Sequence, residues 1–141
     1  MSAVDVALLG SVSQLALFAD LGQADLEDLL PKLHEVTYGE GQWVVRRGQE
    51  DVGLHIIVDG EVGVILDDEE LATLSRGSFF GEISALLGEP AVADVIARMP
   101  LRCLVLPAAE VEEFLVANGR VTFRMLQQEA RRLQRTDEMR L

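Results

Sequence analysis

GSFFGEISALLGEPAVADVIA, residues 77–97, carries the clearest structural signal in this 141-residue chain. Gly81 ends a strand-like run and opens EISALLG, which predicts one or two turns of helix. Gly88-Glu89-Pro90 breaks that helix, and VADVIA continues as an extended strand. A helix that starts at Gly81 offers free N–H groups and the positive end of its dipole to an anion. Most turns of this kind bind nothing, so the pocket prediction needs support from the rest of the chain.

Short β-branched runs surround this stretch and alternate with turn signals, from about residue 36 to about residue 106. Strands of five or six residues at this spacing predict an antiparallel sandwich or jelly roll. HIIVDGEVGVI is the clearest predicted hairpin, because alternating apolar residues lie on both sides of Asp59-Gly60.

A helical pattern precedes the predicted roll, over about residues 11–33. Leucines in QADLEDLLPKL recur at helical spacing and form one apolar stripe: Leu26, Leu29, Leu30 and Leu33. Pro31 lies inside that stripe, and we expect it to end or kink the helix.

Two further helices are predicted after the roll, over about residues 107–138. Pro107 suits the first position of a helix, and Asn118-Gly119 ends that helix. The next helix begins near Arg120 and carries ARRLQR at residues 130–135, a basic patch that serves either an acidic partner or the carboxyl end of the helix. One side of this last helix carries an apolar stripe: Phe123, Leu126, Ala130 and Leu133. The stripe packs either against its own domain or against a second copy of the chain.

Composition bounds the class of protein. The net charge of −12 disfavours direct binding of nucleic acid, and it disfavours anionic ligands unless a local site overrides it. No apolar run reaches the roughly 18 residues of a membrane span, and the N-terminus lacks the basic start of a signal peptide. Cys103, the single cysteine, lies in the apolar run LRCLVL, which predicts a buried packing thiol in a reducing cytoplasm.

Signals for catalysis or metal binding are weak. His34 and His55 are too isolated for a metal site of the cupin kind, and His55 is interpreted as a structural strand residue. The acidic run at residues 67–70 lacks the spacing of a calcium loop and is interpreted as a hairpin tip. Trp43 is interpreted as a packed or edge aromatic rather than a platform for a purine. No arrangement suggests nucleophilic catalysis, so we expect no enzyme, metal or cofactor.

Residues 80–97 (the cassette) resemble the signature of the cyclic nucleotide-binding domain family, F-G-E-L-A-L-x-x-x-x-P-R-A-A-T-V-x-A. The alignment has no gap and retains seven family residues: Phe80, Gly81, Glu82, Pro90, Ala93, Val95 and Ala97. Upstream, GQWVVRRGQEDVGLHIIVDGEVGV is similar to the glycine-punctuated strands of the family. Downstream, FLVANGRVTFRMLQQEARRLQRTDE resembles the closing helices of Crp/Fnr-type sensor domains. The resemblance covers about residues 15–138 and implies one mainly β domain over residues 1–141, an antiparallel β-roll (double-stranded β-helix) with flanking helices.

The resemblance also implies a ligand site. Backbone N–H groups near Ile83, Ser84 and Val92 would hold a cyclic phosphate beside Gly81, and Glu82 would bind the ribose 2′-hydroxyl. Two family positions differ here, and both lie on the phosphate side of the site. Ala91 stands in the place of the family's arginine, and Asp94 stands in the place of a threonine or serine.

Both departures predict weakened binding of cAMP and cGMP. In the family, the arginine forms charge-assisted hydrogen bonds with the phosphate that contribute about 1.5–3 kcal/mol each. Its absence here is therefore expected to weaken binding on the order of 100-fold. If Asp94 faces the pocket, its negative charge repels an anionic ligand. Without the arginine, Glu82 also loses a positive neighbour, which favours the neutral form of its carboxyl. A surrogate cation is the alternative, and three arginines are the candidates: Arg46, Arg76 and Arg98.

The sequence thus predicts a non-enzymatic regulatory or sensor module in signal transduction. Its ligand is a cyclic nucleotide or a less anionic substitute, and its last helix is expected to pair two copies as a homodimer. Two alternatives stay open. One is a functional cAMP or cGMP receptor with a surrogate arginine, and the other is the sensor domain of a Crp/Fnr-type transcription regulator without its helix-turn-helix.

Overall fold

Within residues 6–140, which the computed structural model describes, eight antiparallel strands form the centre of the fold. They are β1 (His34–Tyr38), β2 (Trp43–Val45), β3 (Leu54–Asp59), β4 (Glu61–Leu66), β5 (Glu69–Ser75), β6 (Phe79–Phe80), β7 (Asp94–Ala97) and β8 (Leu101–Leu106). One four-stranded sheet has the order β1-β8-β3-β6, and the other has the order β2-β7-β4-β5. Side chains are described for residues 8–135. The predicted antiparallel β-roll with flanking helices is confirmed.

Helices precede, interrupt and follow the strands. They are α1 (Val6–Val12), α2 (Gln23–Leu29), α3 (Glu82–Leu87), α4 (Val111–Ala117) and α5 (Gly119–Arg140). The helix predicted over residues 11–33 is confirmed only in part, because Gly22 starts a new helix where its N–H donates to Asp25 Oδ2 at 3.1 Å. Pro31 lies in a 3-10 turn directly after α2, as expected for a proline that ends a helix. Both predicted C-terminal helices are present, and Asn118 separates them. The first begins at Val111 rather than at Pro107, because a 3-10 turn at Ala108–Glu110 follows Pro107.

The predicted hairpin at Asp59-Gly60 is wrong. β3 pairs with β6 and β8, whereas β4 pairs with β5 and β7, so this turn carries the chain from one sheet to the other. Gly60 has a φ of 103°, and a Cβ there would lie 2.5 Å from the Pro100 carbonyl oxygen. The turn residues serve a tight corner between sheets, which local alternation of apolar residues does not distinguish from a hairpin.

The acidic run forms the two-residue hairpin between β4 and β5. Asp67 and Asp68 have φ angles of 52° and 64°, and Leu66 pairs with Glu69 across the turn. Two central residues with positive φ match the turn type that suits the twist of paired strands. The interpretation of this run as a hairpin tip is confirmed.

Cys103 and His55 are both buried in strands of the roll, in agreement with the structural roles that the sequence predicted for them. Cys103 is completely buried, and burial raises the pKa of its thiol to about 12, which confirms a packing role. His55 is buried in β3, with Nδ1 2.9 Å from the Gly53 carbonyl and Nε2 3.2 Å from the Tyr38 hydroxyl. Burial lowers the pKa of His55, as expected for a structural histidine held neutral.

The first half of α5 packs on the core, which directs its second half past β6 and α3. Val121 and Met125, two residues of this half of the helix, are buried in the core. Arg124 donates from Nε and Nη2 to the two carboxylate oxygens of Asp20, both at 2.9 Å. The ion pairs with Arg124 and Arg120 lower the pKa of Asp20 to about 2. These contacts set the position of the helix relative to the cassette.

Candidate ligand-binding cleft

α3 begins and ends at glycines that the backbone geometry requires. Gly81 has a φ of 85°, and a Cβ there would collide with the backbone of Gly53. Gly88 has a φ of 66° and donates its N–H to the Ser84 carbonyl. The Ser84 hydroxyl donates to the carbonyl of Glu89, which closes the turn before β7. The short helix predicted from the sequence is therefore confirmed, with its first turn directed at a cleft.

An open cleft of about 1180 Å³ lies between the strands of the roll, α3 and the second half of α5. All six residues that the sequence singles out for ligand binding line it: Gly81, Glu82, Ile83, Ser84, Ala91 and Val92. The structure thus brings these positions together, and their binding roles remain a prediction.

Ala91 faces the cleft from a backbone that is held on both sides. Its N–H donates to the Gln49 carbonyl at 2.9 Å, and its carbonyl accepts the Gly48 N–H at 2.8 Å. Its methyl group packs on the apolar residues inside the roll. The place of the family's arginine is therefore a small apolar patch of the cleft wall.

Asp94 does not face the cleft, contrary to the expectation that its charge opposes an anion there. Its Oδ1 accepts the Arg47 N–H at 2.6 Å and lies 3.4 Å from Arg46 Nε. Side chains alternate between the two faces of a strand, and Val95 points inward from β7, so Asp94 points outward. This carboxylate ties β7 to the turn after β2 and adds no direct repulsion in the cleft.

Glu82 is only 4% exposed and contacts α5. Arg132 Nη1 donates to Glu82 Oε2 at 3.1 Å and to Glu129 Oε1 at 2.9 Å. Arg132 Nη2 donates to the Phe79 carbonyl at 2.7 Å, and the guanidinium lies 4.3 Å from the centre of the Phe79 ring. One arginine of the last helix therefore binds the sugar-side carboxyl and the strand before it.

Burial and the adjacent Glu129 carboxyl raise the pKa of Glu82 to about 8, and the Arg132 charge opposes this only in part. Both carboxyls lie within hydrogen-bond distance of the same Arg132 Nη1, so the negative charge of Glu129 close to Glu82 favours a proton on Glu82. The raised pKa of Glu82 has the direction that the sequence predicted, but its causes are burial and the adjacent Glu129 rather than the missing arginine.

Comparison with known proteins agrees with this geometry. The family model of the cyclic nucleotide-binding domain matches residues 35–118, which include the roll, α3 and α4. The chain belongs to this family. Membership implies a small-molecule ligand, in agreement with a cleft lined by the cassette.

One relative in sequence and two neighbours in structure show the extent of the likeness. The mouse (Mus musculus) cyclic nucleotide-gated channel alpha-4 is 35% identical over 80 residues, which are 55% of this chain and 14% of the channel. The Thermus thermophilus catabolite activator protein shares the fold with a TM-score of 0.76 and 23% identity, over 88% of this chain and 61% of that one. The regulatory subunit of a cAMP-independent protein kinase A from Trypanosoma brucei has a TM-score of 0.77 and 20% identity, over 96% and 49% of the two chains.

None of the three arginines considered as surrogates for the family's arginine supplies a cation to the cassette. Arg76 borders the cleft, but its guanidinium binds the Ser11 carbonyl at 2.6 Å and the Val58 carbonyl at 2.7 Å. Arg98 pairs with Glu70 on the outer surface. Arg46 stacks over the ring of Trp43 at 4.3 Å and pairs with Asp94. Arg46 and Arg98 do not line the cleft, and the guanidinium of Arg76 is bound to two backbone carbonyls.

Cations reach the cleft from α5 instead, which the sequence interpretation missed. Four polar residues at i, i+3, i+4 and i+7 line it and form the cleft-facing stripe of α5: Gln128, Arg131, Arg132 and Arg135. Three arginines of the basic patch at residues 130–135 therefore line the cleft of this cyclic nucleotide-binding domain. The helical spacing of these four polar residues was the signal in the sequence that could have predicted a cleft-facing side of α5.

Other candidate features stay outside the cleft of this cyclic nucleotide-binding domain. Trp43 is an edge aromatic, 41% exposed, as the sequence indicated. Among the described residues, no cluster of three metal-ligating side chains occurs, and no helix is long and apolar enough to cross a membrane. The apolar stripe of α5 is exposed, with Phe123 50%, Leu126 63% and Leu133 64% accessible, so packing against its own domain is not its role.

Proposed function

We propose that this domain is a non-enzymatic regulatory module that senses a small molecule in the cleft and binds cAMP and cGMP weakly or not at all. The observation that carries the proposal is the inward-facing methyl of Ala91. The cassette keeps its glycines and its buried Glu82, yet it lacks the cation that would meet a cyclic phosphate. Without such charge-assisted bonds, affinity falls by on the order of 100-fold.

The buried carboxyl supports the same proposal from the other side of the ligand. Glu82 binds Arg132, so a ribose hydroxyl that approached it would compete with a contact already made. A pKa near 8 keeps Glu82 largely protonated at neutral pH. The same fold occurs in the regulatory subunit of a cAMP-independent protein kinase A from Trypanosoma brucei, which is compatible with this proposal.

We propose that α5 carries the signal. Its second half lines the cleft through the cleft-facing stripe, and its opposite side carries the exposed apolar stripe. A ligand that moves Arg132 therefore moves a helix whose other face is available to a partner.

That partner is proposed to be a second copy of this chain. Phe123, Leu126, Ala130 and Leu133 repeat with spacings of three, four and three residues, which is the seam of a two-stranded coiled coil. The seam lies away from Val121 and Met125, which are buried in the domain itself. The homodimer thus leaves the intramolecular packing of α5 unchanged.

A functional cAMP or cGMP receptor is the second candidate, and one observation favours it. Arg131, Arg132 and Arg135 place cations at the cleft, although far along the chain from the cassette. Titration calorimetry with cAMP and cGMP separates the two candidates, because only the receptor binds the free cyclic nucleotides tightly.

A further inference from the structure

We infer that the anionic group of the ligand binds Arg131 and Arg135 of α5, and that its apolar body lies on the strands of the roll. The inference rests on the proposed function, since it assumes that the cleft holds a small molecule. It names the ligand class as a small organic anion, with one carboxylate, sulfonate or phosphate on an apolar body.

The charges around the cleft favour an anion despite the acidity of the chain. The net charge is −12, yet among the side chains described over residues 8–135 those that line the cleft include four arginines and one glutamate: Arg76, Arg131, Arg132, Arg135 and Glu82. Three of these arginines come from one stretch of α5. A local concentration of cations in a concave site attracts anions even on an acidic protein.

The rotation of α5 is fixed by contacts that two residues of the cleft-facing stripe make with the backbone around β6. Gln128 Nε2 donates to the Gly77 carbonyl at 3.3 Å, and Arg132 Nη2 donates to the Phe79 carbonyl at 2.7 Å. Arg131 and Arg135, separated by one helical turn, lie next to this line of contacts and reach the same cleft.

The three arginines divide into one structural residue and two that are available to a ligand. Arg132 is engaged by Glu82, Glu129 and the Phe79 ring. Arg131 and Arg135 are exposed, and they form no ion pair with the side chains described over residues 8–135. Guanidinium groups bind carboxylate and phosphate oxygens through paired hydrogen bonds, which suits an anionic ligand at this position.

The floor of the cleft is apolar where the family places its cation. It is formed by Val45, Val52, Val64, Phe80, Ala91 and Val95. An apolar ligand body buried there gains about 25 cal/mol for each Å² removed from water. Apolar floor and cationic helix together select a molecule with an apolar end and an acidic end.

Fluorescence titration with 8-anilinonaphthalene-1-sulfonate, an aromatic sulfonate, tests this assignment. Its neutral analogue N-phenyl-1-naphthylamine has the same aromatic body without the acid. The variant is Arg131→Gln/Arg135→Gln, and the matched control is Arg47→Gln/Arg98→Gln, which removes two exposed charges away from the cleft. We expect the cleft variant to bind the sulfonate about 10-fold more weakly, the change that corresponds to about 1.4 kcal/mol. Binding of the neutral analogue should not change, and the control should bind both probes like the wild type.

A variant in which a large side chain fills the cleft tests whether the probes bind there. Ala91→Trp places a large side chain on the floor and should abolish binding of both probes. If this variant still bound the probes, they would bind outside the cleft and the inference would be overturned. A wild-type protein that does not bind the sulfonate would overturn it too. The inference would also be overturned if the cleft variant bound the sulfonate as tightly as wild type. An equal loss of affinity for the two probes would overturn it as well, because the arginines would then maintain the shape of the cleft rather than bind the acid. Tight cAMP binding by the wild type would contradict the proposed function instead, and the two probes would still decide the role of Arg131 and Arg135.

Discussion

Arg132 Nη1 donates a 3.1 Å hydrogen bond to Glu82 Oε2, which ties the last helix to the cassette across 50 residues of sequence. The same guanidinium binds the carbonyl before the cassette and stacks on the Phe79 ring. The sugar-side carboxyl of the site is thus also the contact point of the helix proposed to carry the signal.

Removal of this contact should loosen the second half of α5. We predict that Arg132→Gln lowers the free energy of unfolding by about 1–2 kcal/mol, because hydrogen bonds to partly buried groups are lost. Urea denaturation measures the change. Hydrogen exchange should also accelerate for amides near residues 128–135. The control is Arg98→Gln, whose exposed pair with Glu70 should contribute less than about 1 kcal/mol. Equal stability of Arg132→Gln and wild type would contradict the tie between helix and cassette.

Stability should fall as the pH rises from about 4.5 to about 8 because of Glu82. Its folded pKa is raised above the unfolded value, so the folded state keeps a proton that the unfolded chain releases in this range. One such proton changes the free energy of unfolding by at most about 1.4 kcal/mol per pH unit.

The Glu82→Gln variant isolates this effect. The difference in unfolding free energy between variant and wild type should shift in favour of the variant as the pH rises through this window. His55 changes the pH profile of both proteins equally, because burial lowers its pKa in each, and so cancels in the difference. A difference that does not vary with pH would show that Glu82 does not titrate in this window.

Asp94 should matter for stability and not for ligand charge. We predict that Asp94→Thr lowers the free energy of unfolding by about 1–2 kcal/mol, because the Arg47 N–H loses a charged acceptor. In an Ala91→Arg background it should leave cAMP affinity within about twofold, or about 0.4 kcal/mol. A large gain in affinity would mean that its charge acts on the cleft after all.

The exposed seam of α5 should pair two copies of the chain. We predict that Leu126→Lys converts a dimer into a monomer in sedimentation equilibrium, because it places a charge in the centre of the apolar stripe. Val116→Lys is the matched control, since Val116 is 80% exposed on α4 outside the seam. A monomeric wild type would remove dimerisation from the proposed function.

The sequence predicted what depends on local pattern. The short helix of the cassette was predictable because a glycine stands at each end of it, and Gly81 and Gly88 adopt the positive φ angles that favour glycine. The burial of Cys103 and His55 followed from their strands. The outward position of Asp94 was also within reach, because alternation along β7 from Val95 determines it.

Tertiary contacts determined the rest. The corner at Gly60 is set by the approach of Pro100, forty residues away, so the local pattern resembled a hairpin. The position of Arg131 and Arg135 at the cleft depends on how α5 is rotated, which its contacts with Gly77 and Phe79 fix. The two partners of each of these contacts lie far apart in the sequence, so a local pattern cannot predict them.

We propose that Ala91 removes cyclic nucleotide binding from an otherwise intact cassette. Titration calorimetry with cAMP and cGMP should compare wild type, Ala91→Arg and the control Ala24→Arg, which places the charge at an exposed position on α2. We predict that the wild type and the control bind more weakly than roughly 10 µM, and that Ala91→Arg gains at least about 10-fold, or about 1.4 kcal/mol. Wild-type binding tighter than roughly 10 µM, which is about −7 kcal/mol, would contradict the claim.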